Sequence, residues 1–147
     1  MTFNLTKDQI EIQERARQIA STLVAENAVE VDKSEQYPWD NVKALTDAGF
    51  VGMTIPKEYG GPGRSFLEAN LVVEEMAAYC GPTGRIAVEA NMGAISAVMH
   101  YGTDFQKRLA AELVLAGDKP AICITEPNRR LITLSLIHIS EPTRHHV

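Results

Sequence analysis

Over most of the first 117 positions, apolar residues recur at three- and four-residue spacing, the period that lines them along one side of a helix. Ile12, Ala16, Ile19, Ala20, Leu23 and Val24 form the first stripe, with Glu11, Glu14, Arg15, Gln18 and Ser21 largely elsewhere. Ahead of it, Thr6-Lys7-Asp8-Gln9 has the form of a capping box, and Leu5 and Ile10 stand where a hydrophobic staple needs them. The spacing predicts a helix from Thr6 to about Val29. A polar link, Asp32 to Gln36, leads to Tyr37-Pro38-Trp39, where a proline suited to a first helical turn precedes Trp39, Val42 and Leu45. Gly49 closes that short helix.

Phe50 to Ile55 is apolar, and Pro56 to Gly63 is too rich in glycine and proline to hold a helix. Its glycines match neither dinucleotide nor P-loop spacing, so they read as turn chemistry rather than a phosphate cradle. Ser65-Phe66-Leu67-Glu68 is a second capping box, opening a helix through Leu71, Val72, Met76 and Tyr79 that Gly81-Pro82 ends. Glu74 and Glu75 are helix neighbours that point about 100° apart, which rules out a shared substrate and reads as one solvated face. Thr83 is placed to cap a fourth helix carrying Ile86, Ala87, Ala90, Met92, Ala94, Ile95, Ala97 and Val98 as far as His100-Tyr101-Gly102. Rich in small apolar residues around most of its circumference, it is expected at the centre of the domain. Thr103-Asp104-Phe105-Gln106 is a third capping box, before Leu109, Ala110, Leu113, Val114 and the terminating Gly117.

These five helices predict an all-α bundle, with a boundary at Gly117-Asp118. Beyond it, Ala121 to Ile124 reads as the first strand of a different unit, bounded by Pro120 and Pro127. It stops at Thr125-Glu126, where a hydroxyl and backbone N–H groups are placed to hydrogen-bond a flat heteroaromatic ring, although any strand can end this way. Arg85 stands out on its apolar helix, where a guanidinium must reach solvent or meet an anion. His100 reads as a helix-end histidine rather than a base.

With 147 residues, 45% hydrophobic and 22% charged, the chain has the composition of a soluble globular protein. A net charge of -5 without a basic block argues against a nucleic-acid surface. No apolar run approaches ~18 residues and the N-terminus lacks the pattern of a signal peptide, so a cytoplasmic location without membrane contact is expected. Cys80 and Cys123 have neither disulfide-framework nor zinc spacing, and His138, His145 and His146 show no ligand pattern, so no metal is expected.

The opening Leu-Thr-x-x-Gln helix, Asp47-Ala48-Gly49-Phe50, Ile55-Pro56-x-x-Tyr59-Gly60-Gly61, Tyr101-Gly102-Thr103, Leu115-Ala116-Gly117 and Ile122-Cys123-Ile124-Thr125-Glu126-Pro127-Asn128 together resemble the acyl-CoA dehydrogenase family over roughly residues 3 to 128. The resemblance implies an α-helical N-terminal domain over 1–117 and the start of a middle β-domain over 118–128. A C-terminal helical bundle, bound FAD, a homotetramer and oxidation of acyl-CoA thioesters are implied as well. By it, Ile122, Cys123, Ile124 and Thr125 line the flavin, with the Thr125 hydroxyl toward the ring, where donors stabilise the reduced cofactor. Arg85 then borders the acyl pocket and suits an acyl chain ending in an anion, of glutaryl or 3-sulfinopropionyl type. Glu35-Gln36-Tyr37-Pro38-Trp39-Asp40-Asn41 with Gly84-Arg85-Ile86 looks closest to the desulfinase branch.

Where the family continues Ala-Gly-Ser-Asp after Thr-Glu-Pro-x, this chain has Arg129-Arg130-Leu131-Ile132, so the contacts of that serine do not carry over. Leu134 to Arg144 resembles the translation of a transposase adapter used in sequencing libraries, and 129–147 reads as a non-native tail; its alternation of apolar and polar residues from Ile132 to Ile139 equally fits an amphipathic strand. The expectation is therefore a truncated flavoenzyme, inactive as written because the family's glutamate base belongs to the C-terminal domain. The competing expectation is a helical interaction module using the small-residue face from Ala87 to Ala97.

Overall fold

The computed structural model describes residues 4–118 and 120–122, and over these the chain is helical. Helix α1 (Lys7–Ile19) passes through a π-helical turn (Ala20–Val24) into α2 (Ala25–Ser34), so the first rod runs beyond Val29 and stops only at Glu35. Then follow α3 (Trp39–Asp47), a short 3-10 turn (Lys57–Tyr59), α4 (Phe66–Tyr79), α5 (Gly81–Asn91), α6 (Ala94–Tyr101) and α7 (Asp104–Leu115).

All three capping boxes form: Thr6, Ser65 and Thr103 each accept from the backbone N–H three residues on, and Gln9, Glu68 and Gln106 each reach back to the cap. Two glycines end helices in the left-handed region. At Gly49 (φ 73°), Gly49 N–H donates to Thr46 O and Phe50 N–H to Leu45 O; Gly117 (φ 86°) repeats the pattern with Val114 O and Leu113 O.

Helix α4 is central, packed on α1 and α5. Ile12, Ala16, Ala20 and Val24 of the first rod meet Ala69, Val72 and Met76 of α4, with Leu45, Phe50, Met53 and Ile55 completing the core. Each large side chain there is worth ~1.5–3 kcal/mol by removal from water. Helices α4 and α5 approach so closely that a Cβ on Gly84 would lie 2.6 Å from the Ala77 Cβ.

Several expectations are corrected. The fourth helix begins at Gly81, directly after Cys80, because Pro82 is tolerated in a first turn; Thr83 is therefore buried within α5 rather than capping it. It also breaks at Met92-Gly93, leaving α5 central and α6 at the edge. Glu74 is exposed but Glu75 is buried, because Arg17 from α1 pairs with it, so the two share no solvated face. On α7 the buried residues are Ala111 and Val114, while Leu109 and Leu113 are partly open to solvent. Among the described residues no strand occurs; Ala121 and Ile122 carry no regular structure, and Cys123, Ile124, Thr125 and the 129–147 tail lie outside the described residues.

Candidate functional site

Arg85 lies one turn into α5, its side chain 66% exposed, and forms an ion pair with Glu89, one turn further on. Glu89 is itself buried. Its Oε2 accepts the N–H of Ala94, the first residue of α6, at 3.2 Å. The carboxylate thus bridges the break between two helices, taking a donor from each side. A carboxylate this shielded from water needs such partners to offset the cost of burying it.

The break is built by the neighbouring Asn91, which is fully buried. Its Nδ2 donates to the carbonyls of Ala87 and Phe50, both at 2.9 Å, and its Oδ1 accepts from Met53 N–H at 2.7 Å. Thr54 donates its hydroxyl to the Asn91 carbonyl. One side chain therefore ends α5 and pins the Phe50–Thr54 segment to it. A second buried relay fixes the other end of α5: Asn27 donates to Asn41 Oδ1 at 2.8 Å, Asn41 donates to Thr83 Oγ1 at 2.9 Å, and the Thr83 hydroxyl meets Cys80 Sγ at 3.1 Å. Arg85 is held on a helix anchored at both ends.

Beyond Ala94 the surface turns apolar. Ala94, Ile95 and Val98 of α6 face Ala110, Leu113 and Val114 of α7 across a cleft of about 210 Å³, which Pro120 and Ala121 help to close. It runs on, through Val98, Ala110 and Leu113, into a wider cleft of about 510 Å³ with Tyr101 and Leu109 on its walls. Tyr101 is 91% exposed, and Ile122, where the described chain ends, is 43% exposed. Ala94 joins the two features, since its N–H binds Glu89 while its side chain lines the cleft. The apolar cleft suits the greasy body of a ligand, and Arg85, on the helix joined to it through Glu89 and Ala94, offers a guanidinium to an anion.

Of the residues singled out as flavin-lining, the structure describes Ile122, exposed and next in sequence to Ala121 of this cleft; Cys123, Ile124 and Thr125 are not among those described. His100 is exposed and bonds its own helix through Nδ1 and Ser96 O at 2.9 Å. The glycine-rich loop serves packing: a Cβ on Gly61 would lie 2.2 Å from the Ile55 carbonyl oxygen. Among the described residues no set of three metal-ligating side chains gathers, and no helix is long and apolar enough to cross a membrane. Glu89, Asn91 and the α6–α7 cleft escaped the sequence reading. Only the four-residue spacing of Arg85 and Glu89 would have signalled the first.

Residues 6–118 match the family described as acyl-CoA dehydrogenase, N-terminal domain. The chain is 59% identical over 126 residues to the 3-sulfinopropanoyl-CoA desulfinase of Variovorax paradoxus, covering 86% of this chain and 32% of that protein. To the short-chain specific acyl-CoA dehydrogenase of Clostridium acetobutylicum it is 36% identical over 129 residues, 87% of this chain and 34% of the other. The butyryl-CoA dehydrogenase structure from Megasphaera elsdenii superposes with a TM-score of 0.76 at 27% identity, over 87% of this chain and 34% of that one. The chain thus spans about a third of the length of the relatives it matches.

Proposed function

Because the chain belongs to the acyl-CoA dehydrogenase family, over its N-terminal domain, we propose that it forms the helical first third of a FAD-dependent flavoenzyme acting on an acyl-CoA whose acyl chain ends in a carboxylate or sulfinate. The observation that carries the substrate class is Arg85, an exposed guanidinium on α5 whose partner Glu89 is bonded to Ala94 of the apolar α6–α7 cleft. A guanidinium meets either anion with two parallel hydrogen bonds, which a neutral acyl chain cannot return. The 59% identity to a desulfinase supports the same class.

FAD, when bound, supplies the two-electron acceptor that dehydrogenation of the acyl chain requires; the reaction is that dehydrogenation or, for a sulfinate-ended chain, release of sulfite. Ile122, Cys123, Ile124 and Thr125 are the residues that would lie against its ring, and the exposure of Ile122 is compatible with that role. The helical domain walls one side of the acyl site and excludes water from it. A glutamate base in the C-terminal third and assembly as a homotetramer complete the proposal, under which the present chain turns over no substrate unaided.

The test is the complete enzyme with Arg85→Ala, compared on glutaryl-CoA and butyryl-CoA. The ratio of kcat/KM for the anionic over the neutral substrate is expected to fall about 10- to 100-fold, the worth of hydrogen bonds to a charged group. An unaltered ratio removes the anionic-substrate reading, and a purified enzyme without a flavin absorption band removes the cofactor.

A further inference from the structure

We infer that Glu89 is a positioning residue for substrate selection: it sets the attitude in which the Arg85 guanidinium receives the anionic end of the acyl chain. The inference rests on the role proposed for Arg85 and adds to it the group that makes the arginine a fixed receptor. Of the two partners, Glu89 is the anchored one. It is 8% exposed, its Oε2 accepts the Ala94 N–H, and its Oε1 faces Arg85, whose own side chain is 66% exposed. The space the carboxylate occupies exists because residue 93 is glycine. A Cβ there would lie 2.2 Å from Glu89 Oε2 and 2.9 Å from its Cδ.

Helix stabilisation does not account for the pair. An arginine placed four residues before a glutamate is the less favourable order against the helix dipole, and even the favourable order contributes only ~0.3–0.5 kcal/mol on a helix surface. Burying a carboxylate at a helix break to gain so little is a poor exchange. As a template the arrangement makes sense. A guanidinium carries five N–H donors, and with two-thirds of the Arg85 side chain exposed, donors remain open to a second anion. With its rotamer already set by Glu89, Arg85 loses less conformational entropy when that anion arrives.

The test uses the complete enzyme with Glu89→Gln, which keeps the size and an acceptor for Ala94 N–H but removes the charge, and with Gly93→Ala, which pushes the carboxylate away and leaves its charge. Kinetics are read on glutaryl-CoA and butyryl-CoA, with the melting temperature recorded for each variant. Either variant is expected to lower the glutaryl-to-butyryl ratio of kcat/KM about tenfold, through KM rather than kcat, the loss of one oriented charged contact. Should one variant fail to fold, the other gives the same readout. A ratio unchanged in a folded variant overturns the inference, as does a KM for glutaryl-CoA that falls, which would make Glu89 a competitor for Arg85. If Arg85→Ala lowers the ratio while Glu89→Gln and Gly93→Ala do not, this inference alone fails; if Arg85→Ala leaves it unmoved, the substrate-class proposal fails first.

Discussion

Arg17 and Glu75, 58 positions apart, hold one another at two points: Nε reaches Oε2 at 3.1 Å and Nη2 reaches Oε1 at 2.7 Å. The pair rivets α1 to α4, and it keeps the Arg17 guanidinium more firmly protonated than usual through the hydrogen bond and charge of Glu75. Removing one partner strands a buried carboxylate, which is worse than having neither. Arg17→Ala is expected to lower the melting temperature more than the double variant Arg17→Ala/Glu75→Leu does. Equal melting temperatures for the two variants would show that the stranded carboxylate costs nothing.

Asn91→Ala is expected to destabilise the domain by about 2–4 kcal/mol, because the buried Met53 N–H and Phe50 carbonyl each lose a partner worth ~1–3 kcal/mol. Urea unfolding measures it. A loss under about 1 kcal/mol would mean that water replaces the amide.

At Gly84 two effects oppose each other. Alanine gains ~1 kcal/mol of helix propensity over glycine, yet its Cβ would sit 2.6 Å from the Ala77 Cβ and 2.7 Å from its Cα. Overpacking of that order costs ~1–3 kcal/mol, so Gly84→Ala should be net destabilising. Adding Ala77→Gly should recover part of the loss in a double-mutant cycle.

Glu68 has its carboxyl held below the usual glutamate range, first by the Ser65 backbone N–H and then by the Ser65 hydroxyl and the Arg64 guanidinium, each at 2.8 Å. A carboxyl depressed in the folded state adds stability that is complete above its unfolded value of about 4.3 and lost as pH falls through the folded one. The stability gap between the native chain and Glu68→Gln should therefore be full near neutrality and close in acid. Melting curves across that range will show it, and a gap independent of pH would refute it.

The α6–α7 cleft leaves Leu109 at 45% and Leu113 at 44% exposure beside Tyr101 and Phe105. A contiguous apolar face of this kind drives self-association. Leu109→Glu/Leu113→Glu should lower the mass seen by light scattering for this chain, with stability changed by less than ~1 kcal/mol.

Where local chemistry decides an element, the sequence was legible. Thr6, Ser65 and Thr103 start helices, and Gly49 and Gly117 stop them, because caps are written in neighbouring residues. Asn91 is different: nothing within a few positions says that it will reach back to Phe50 and Met53, so the break after α5 stayed hidden inside a continuous apolar pattern. Likewise Glu75 looks like any helix-surface acid until Arg17 is brought to it by the fold. For the candidate site, Arg85 could be picked out by its contrast with its helix. The role of Glu89 required knowing that Gly93 leaves it room.

The π-helical turn at Ala20–Val24 settles a question of phase. Ile12, Ala16, Ala20 and Val24 are spaced by fours, and on a helix of 3.6 residues per turn each such step overshoots by about 40°, so the fourth member would drift toward solvent. All four are nonetheless buried. A turn closed over five residues takes up the surplus and brings Val24 back into line. Deleting one residue from 20–24 would convert the bulge to ordinary helix and leave everything after it in nearly the same phase, because the bulge and the lost residue each account for about 100°. The shortened rod would look more regular and dock as before, whereas losing the bulge at unchanged length would swing Asn27 away from the relay through Asn41 that seats α5.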